Sequence, residues 1–312
     1  MPSILVTTKI PASVAAILKA VGDVEMPSGA LDRAAVLQRV AGRDAIMCFG
    51  VRVDTALLDA AGPSLKIIAN IGVGYDHIDV AAARARGITV TNTPDVLTAS
   101  VAELTWAMIL GIARRVGEGE RLIRRGGWQG GTFEFMLGAE LRGKQLGIVG
   151  AGRIGRGVAE RAKAFGMSTV FFSRSAGLDP ARGYVTLDEL LRTSDVVSVH
   201  VPLRPDTRHL IDRKALARMK RSAFLINTSR GPVIDEEGLA WALREHLIAG
   251  AALDVFEHEP RVHPDLLPLE HVLLVPHLGS ATREARTAMA ELAARNVVAV
   301  LSGQPALTDV TK

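Results

Sequence analysis

A single cysteine in 312 residues, Cys48, excludes an intrachain disulfide. It falls within an apolar run, Ala45-Ile46-Met47-Cys48-Phe49, that reads as a strand, so a small core residue is expected there rather than a nucleophile. Metal-binding patterns are missing as well. There is no H-E-x-x-H, and His77, His200, His209, His246, His263 and His271 show no ligand spacing, so no metal is expected. The longest apolar stretch, Leu104–Ala113, is too short to span a bilayer, and Met1-Pro2-Ser3-Ile4-Leu5-Val6 carries no basic n-region. Basic charge is not concentrated either. A net charge of +4 underlies the pI of 9.4, and the cations occur singly or in short pairs such as Arg114-Arg115 and Arg124-Arg125, which excludes a nucleic-acid arm. A soluble cytoplasmic protein with no nucleic-acid or membrane partner is the expectation.

What is present is periodic. Short apolar strands at Ile4–Val6, Val24–Met26, Ala45–Phe49, Lys66–Asn70 and Ile88–Thr91 alternate with helical stretches such as Val14–Ala20 and Leu31–Val40, the pattern of a mostly parallel sheet. A long apolar helix from Thr98 to Arg114 then leads through a Gly-rich segment, Gly117 to Gly143, into a second series of strands. After the strand that ends at Val149 these are Thr169–Phe172, Val196–His200, Ala223–Asn227, Ala251–Val255 and Val272–Val275, with a closing helix over Thr282–Leu301. Six strands with a glycine fingerprint after the first predict a doubly wound Rossmann sheet. At 48% hydrophobic residues the chain can bury two cores of about 100–200 residues each.

The fingerprint is Gly150-Ala151-Gly152-Arg153-Ile154-Gly155, directly after a buried-looking strand and directly before a helix. In that setting Gly150 permits the tight turn, Gly152 lets a pyrophosphate approach the backbone, and Gly155 lets the helix pack on the strand, leaving helix N-terminal N–H groups for the phosphates. Dinucleotides of the NAD type are usually marked by a carboxylate on the ribose about 20 residues further on. Here that place reads Ser173-Arg174-Ser175. A guanidinium and two hydroxyls suit a 2′-phosphate, so NADP(H) is expected, with NAD(H) as a weaker alternative and a solvated surface arginine as the competing reading of Arg174.

Polar residues gather at three later strand ends: Asn227-Thr228-Ser229-Arg230-Gly231, Asp254-Val255-Phe256-Glu257-His258-Glu259-Pro260, and Val275-Pro276-His277-Leu278-Gly279-Ser280. An arginine, a glutamate and a histidine at neighbouring strand mouths are the groups needed to reduce a 2-keto acid.

These motifs, together with Asn70-Ile71-Gly72-Val73-Gly74-Tyr75-Asp76-His77 and Thr93-Pro94-Asp95-Val96-Leu97-Thr98, resemble those of the D-isomer-specific 2-hydroxyacid dehydrogenases over essentially the whole chain. Within that family the Ser173–Ser175 turn and the Pro94–Thr98 phrase look most like the NADPH-dependent glyoxylate and hydroxypyruvate reductases, with 2-ketogluconate reductases close behind. The resemblance implies an α/β protein with a Rossmann dinucleotide-binding domain over 99–280. It also implies a smaller flavodoxin-like substrate domain over 1–98 and 281–312, a cleft between the two, and a homodimer formed by the helix from Thr98 and the arm after it.

It also implies roles. Arg230, Glu259 and His277 are the catalytic trio, with His277 as the acid-base and Glu259 orienting it and favouring the imidazolium. Glu257 and His258 do not match the motif position. The substrate is bound by the backbone N–H groups of Val73 and Gly74, by Arg230 and His277, and by the Phe49–Arg52 segment with Val51 at its centre; the Trp128–Leu137 loop is a further candidate for selecting the acid. The cofactor is bound by Gly150, Gly152, Arg153, Ile154, Gly155, Ser173, Arg174, Ser175, Val201, Pro202, Thr207, Thr228, Arg230, Asp254, His277 and Gly279. The expected reaction is hydride transfer from NADPH to glyoxylate or hydroxypyruvate. Three other readings stay open: a larger keto acid such as 2-ketogluconate, an NAD-dependent phosphoglycerate-type dehydrogenase, and a non-catalytic dinucleotide sensor.

Overall fold

The computed structural model describes residues 1–174, 176 and 178–311; the expected contact at Ser175 lies outside them. Two compact units form, Met1–Leu97 with Ala281–Lys312, and Thr98–Ser280.

In the first unit β1 (Ser3–Val6), β2 (Asp23–Glu25), β3 (Ala45–Cys48), β4 (Ile67–Asn70) and β5 (Thr89–Thr91) alternate with α1 (Ala12–Lys19), α2 (Arg33–Arg39), α3 (Thr55–Ala61) and α4 (Val80–Ala85). All pairings are parallel, in the order β2-β1-β3-β4-β5, which is the flavodoxin-like arrangement. β3 and β4 are buried at every position because helices cover both faces, so they read as unbroken apolar runs and not as alternating strands. Asp32, Asp54 and Asp79 each accept the N–H three residues on and so start α2, α3 and α4. Cys48 lies in this core, where burial pushes its thiol up to about 12. The closing helix, Arg283–Leu301, packs on α1, β3 and β4.

In the second unit the long helix α5 (Thr98–Ala113) is followed by α6 (Val116–Arg124), then β6 (Gln145–Val149), α7 (Arg153–Ala162), β7 (Ser168–Phe172), α8 (Leu187–Thr193), β8 (Val196–Val199), α9 (Arg213–Leu216), β9 (Phe224–Asn227), α10 (Glu236–Arg244), β10 (Gly250–Leu253) and β11 (Val272–Leu274). The strands are all parallel in the order β11-β10-β9-β8-β6-β7. Trp106 on α5 stacks on Phe165 with centroids 4.3 Å apart and donates its ring N–H to the Val158 carbonyl on α7, which binds the two helices together.

All six strands expected from the sequence form, and outside β7, where the usual doubly wound order has a further strand, the described residues make one parallel bridge, Phe171 to Tyr184. A 3-10 turn at Pro180–Arg182 precedes Tyr184 and α8 begins at Leu187, so no longer strand fits. The Gly-rich segment carries a helix that the sequence reading does not name, α6 over Val116–Arg124. Gly117 lies close to the sheet: a Cβ there would stand 3.1 Å from Leu273 Cδ1, a tight contact with the end of a side chain. No helix among the described residues is long and apolar enough to cross a membrane.

Candidate active site

The fingerprint follows β6 without interruption. Gly150 has a left-handed φ of 105°, and a Cβ on it would lie 2.7 Å from the His200 carbonyl oxygen, so only glycine fits between β6 and the end of β8. Gly155 is just as constrained, since its Cβ would come within 2.2 Å of the Gly150 carbonyl oxygen. Gly152 differs from both. It N-caps α7 with no side-chain cap, and a Cβ there meets nothing within 4 Å, so no protein atom excludes a side chain at this place. An open cradle at an uncapped helix N-terminus is what a pyrophosphate requires, and these residues fit a dinucleotide.

Gly152→Ala should therefore keep the melting temperature of the parent and lose affinity for the dinucleotide, whereas Gly155→Ala should lower Tm. Equal melting losses in both variants, by calorimetry, would mean that Gly152 is a packing residue.

The remaining cofactor candidates are distributed along the strand ends. Ser173 and Arg174 follow β7, and the Arg174 guanidinium forms an ion pair with Asp206. Val201 and Pro202 follow β8. The Thr207 hydroxyl donates to the Pro202 carbonyl at 2.7 Å and accepts the Arg204 N–H at 2.8 Å, so it closes its own loop. Thr228 lies buried after β9, its hydroxyl 3.0 Å from that of Thr105 on α5.

The trio occupies the ends of β9, β10 and β11. Asn227, buried, donates to the Arg230 carbonyl at 2.9 Å and accepts from the Ser229 N–H at 3.0 Å, which fixes the turn that presents Arg230. His277 has a left-handed φ of 54°, uncommon for a residue with a Cβ. Asp254 holds it there: the His277 N–H donates to the Asp254 carbonyl at 2.9 Å, and the Asp254 carboxylate accepts the N–H groups of Leu278 and Gly279. Burial pushes the Asp254 carboxyl above its ordinary value against those bonds and the His277 charge.

The structure brings Glu259 and His277 together. Glu259 Oε2 lies 2.8 Å from His277 Nδ1, and Oε1 accepts the Phe256 N–H at 3.0 Å. A carboxylate accepts, so Nδ1 carries the proton toward Glu259 and Nε2 is left for a ligand. Burial works to raise the Glu259 carboxyl, but the His277 hydrogen bond and charge, the Phe256 N–H and the Arg230 charge together hold it below the ordinary range. Glu257 serves a different group, accepting His209 Nε2 at 2.6 Å and Arg208 Nη2 at 2.9 Å.

In the first unit, the loop after β4 has its carbonyls tied down. Asn70 Nδ2 donates to Gly72 and Gly74, and Asn92 Nδ2 donates to Val73 at 2.8 Å. The buried Asn296 on the closing helix accepts the N–H of Thr308, and the Thr308 hydroxyl in turn binds the Asn92 carbonyl. Among the described residues no backbone acceptor is bonded to the Val73 or Gly74 N–H. Val51 is buried in the core of this unit, so only its backbone is available to a ligand. Phe49 is partly exposed beneath the Arg286 guanidinium, 4.5 Å from the ring centre.

Asn92 and Asp206 have no role that the sequence alone suggests, and Asn70 and Asn227 are visible there only as parts of motifs. An asparagine at a strand end before a glycine turn is a recognisable signal for Asn70 and Asn227. His200, a spare histidine by sequence, is a buried neutral imidazole whose Nε2 lies 2.8 Å from the Ser198 hydroxyl, and burial lowers it to about 3.

Residues 106–279 match the family described as D-isomer specific 2-hydroxyacid dehydrogenase, NAD binding domain. The chain belongs to this family. It is 45% identical to a glyoxylate reductase of Thermofilum pendens over 322 aligned positions, covering 99% of this chain and 94% of the relative. A protein of Thermus thermophilus superposes with a TM-score of 0.92 at 43% identity, with 99% of each chain covered. An NADPH-dependent glyoxylate/hydroxypyruvate reductase of Sinorhizobium meliloti, solved with NADP and malonate, superposes with a TM-score of 0.88 at 38% identity, covering 99% of this chain and 96% of that one. The chain is therefore an oxidoreductase that uses a nicotinamide dinucleotide on a CH–OH group.

Proposed function

We propose that the chain reduces glyoxylate, and hydroxypyruvate beside it, to the D-2-hydroxy acid with NADPH. The observation that carries this reading is the Glu259–His277 pair, with Nε2 left for a ligand and Arg230 close enough for its charge to act on Glu259. The names of the Thermofilum and Sinorhizobium relatives support the substrate class.

The dinucleotide supplies the hydride when bound. Arg230 holds the carboxylate and keto oxygen of the acid through its planar fork. The Val73 and Gly74 N–H groups receive the carboxylate, an arrangement that successive backbone amides suit. Protonated His277 gives its Nε2 proton to the oxygen that becomes an alkoxide, and Glu259 keeps the ring oriented and offsets the imidazolium charge. In the reverse direction the neutral ring takes that proton back.

NADPH is assigned on Arg174. A charge-assisted contact to a 2′-phosphate is worth about 10- to 150-fold in affinity. The ion pair with Asp206 competes for the same guanidinium. Exposed pairs are weak, so Asp206→Asn should raise kcat/KM for NADPH by up to about fivefold and leave NADH unchanged. Arg174→Ala should remove most of the preference by weakening NADPH alone. Equal use of NADH and NADPH by the parent enzyme, or an Arg174→Ala variant with the full ratio, would defeat the assignment.

The working form is a homodimer joined through residues 116–137. That segment exposes Val116, Ile123, Trp128, Phe133, Phe135 and Leu137, with Phe133 96% exposed, and large apolar side chains left in water along one stretch of chain are what an interface would cover. Light scattering should give twice 33.2 kDa, and a mass of 33.2 kDa would remove this claim.

A further inference from the structure

Glu236, the first residue of α10, is only 3% exposed and has no part in the chemistry described above. Its Oε1 accepts the Glu257 N–H at 2.6 Å. The peptide bond that carries this N–H, Phe256–Glu257, is gripped on its other side by Gly231. A Cβ on Gly231 would stand 1.9 Å from the Phe256 carbonyl carbon and 2.4 Å from the Glu257 nitrogen, so the two backbones touch and only glycine fits. Gly231 follows Arg230 in the chain. One residue before the same peptide, the Phe256 N–H donates to Glu259 Oε1. A third hold comes from Glu257, whose carboxylate binds Arg208 and His209.

Arg230 and Glu259, on different loops, are therefore both held against the two consecutive peptides of Val255–Glu257, and Glu236 is the side chain that seats the second of them. We propose that Glu236 is a positioning residue for the reaction: by accepting the Glu257 N–H it fixes the Phe256–Glu257 peptide, and so sets Glu259 against His277 and the Arg230–Gly231 turn against both. Its partners require an oxygen acceptor and not a charge. Burial and the nearby Glu257 carboxylate push the Glu236 carboxyl above its ordinary value, against the Glu257 N–H and the charges of His263 and His258, so a neutral side chain of the same shape fits the site.

The proposal rests on the Glu259–His277 reading, and its test separates the two. Amide exchange of the ligand-free protein is compared for wild type, Glu236→Ala and Glu236→Gln, beside steady-state reduction of glyoxylate. In Glu236→Ala the Glu257 amide should exchange about tenfold or more faster. In the same variant kcat should fall about 10- to 100-fold, as displacement of a catalytic group does, with the dissociation constant for NADPH unchanged. Glu236→Gln keeps the acceptor and should restore both readouts. If the alanine variant is too unstable to assay, Glu236→Met fills the volume without an acceptor and carries the same expectations. Wild-type exchange at Glu257, or faster exchange with undiminished kcat, overturns the positioning role. Failure of the wild type to reduce any 2-keto acid overturns the functional reading instead, and the exchange comparison then decides alone whether Glu236 seats the peptide.

Discussion

Replacing His277 with alanine is expected to lower kcat for glyoxylate reduction by about 10²–10⁴, the usual worth of a positioned general acid, while NADPH binding measured by fluorescence titration stays near wild type. His277 is held in a left-handed backbone conformation by Asp254, and Glu259 bonds Nδ1. A strained backbone maintained by a neighbouring carboxylate and carbonyl is the arrangement expected where a side chain must be aimed. Because Glu259 stays ionised below the ordinary carboxylate range, the pair should persist as pH falls and be lost only below that range. A His277→Ala enzyme that keeps more than about a tenth of wild-type kcat, far above the range for general acid catalysis, has its acid elsewhere.

Arg230 should show an effect of similar size with a different kinetic signature. In the proposed reaction its guanidinium would serve the carboxylate in the ground state and the developing alkoxide in the transition state, so KM and kcat should both worsen. Two charge-assisted bonds at about 1.5–3 kcal/mol each correspond to a loss of about 10² to 10⁴ in kcat/KM for Arg230→Ala. Arg230→Lys retains the charge and loses the fork, and it should remain badly impaired. Near-normal kinetics in the lysine variant would mean that the carboxylate is bound by other groups.

How far the sequence anticipates this site depends on whether the information is local. Gly150, Gly152 and Gly155 are legible because a turn followed by a helix imposes its requirements within six residues, and the places of Arg230, Glu259 and His277 are legible because each lies beyond the end of an apolar strand. The parallel order of both sheets follows from the βα alternation for the same reason. The shortened third strand beside β7 is not legible, since Tyr184 and Val185 are good strand formers and only the turn at Pro180–Arg182 and the early start of α8 cut them short. Helix α6 is hidden by Gly117 and Gly119, which argue for loop in sequence; in the fold Gly117 faces Leu273 at close range. Its Arg121 and the following Arg125 both reach Glu270, a partner far along the chain.

Glu236 illustrates the limit. In sequence, Asp235-Glu236-Glu237 is an ordinary acidic start to a helix, with Asp235 as its cap. Only the tertiary approach of the Phe256–Glu257 peptide distinguishes Glu236, nearly inaccessible, from exposed Glu237 beside it. The same holds for Glu257 and Glu259, two residues apart, one bonded to Arg208 and His209 and the other to His277.

Whether this chain reduces a small 2-keto acid with NADPH is decided by following loss of the reduced nicotinamide in the wild-type protein with glyoxylate, hydroxypyruvate and 2-ketogluconate, each with NADPH and with NADH. Glyoxylate and hydroxypyruvate should turn over at higher kcat/KM than 2-ketogluconate, and faster with NADPH than with NADH. Preferred turnover of 2-ketogluconate would contradict the assignment of the acid, and no turnover of any of the three with either cofactor would contradict the proposed function as a whole.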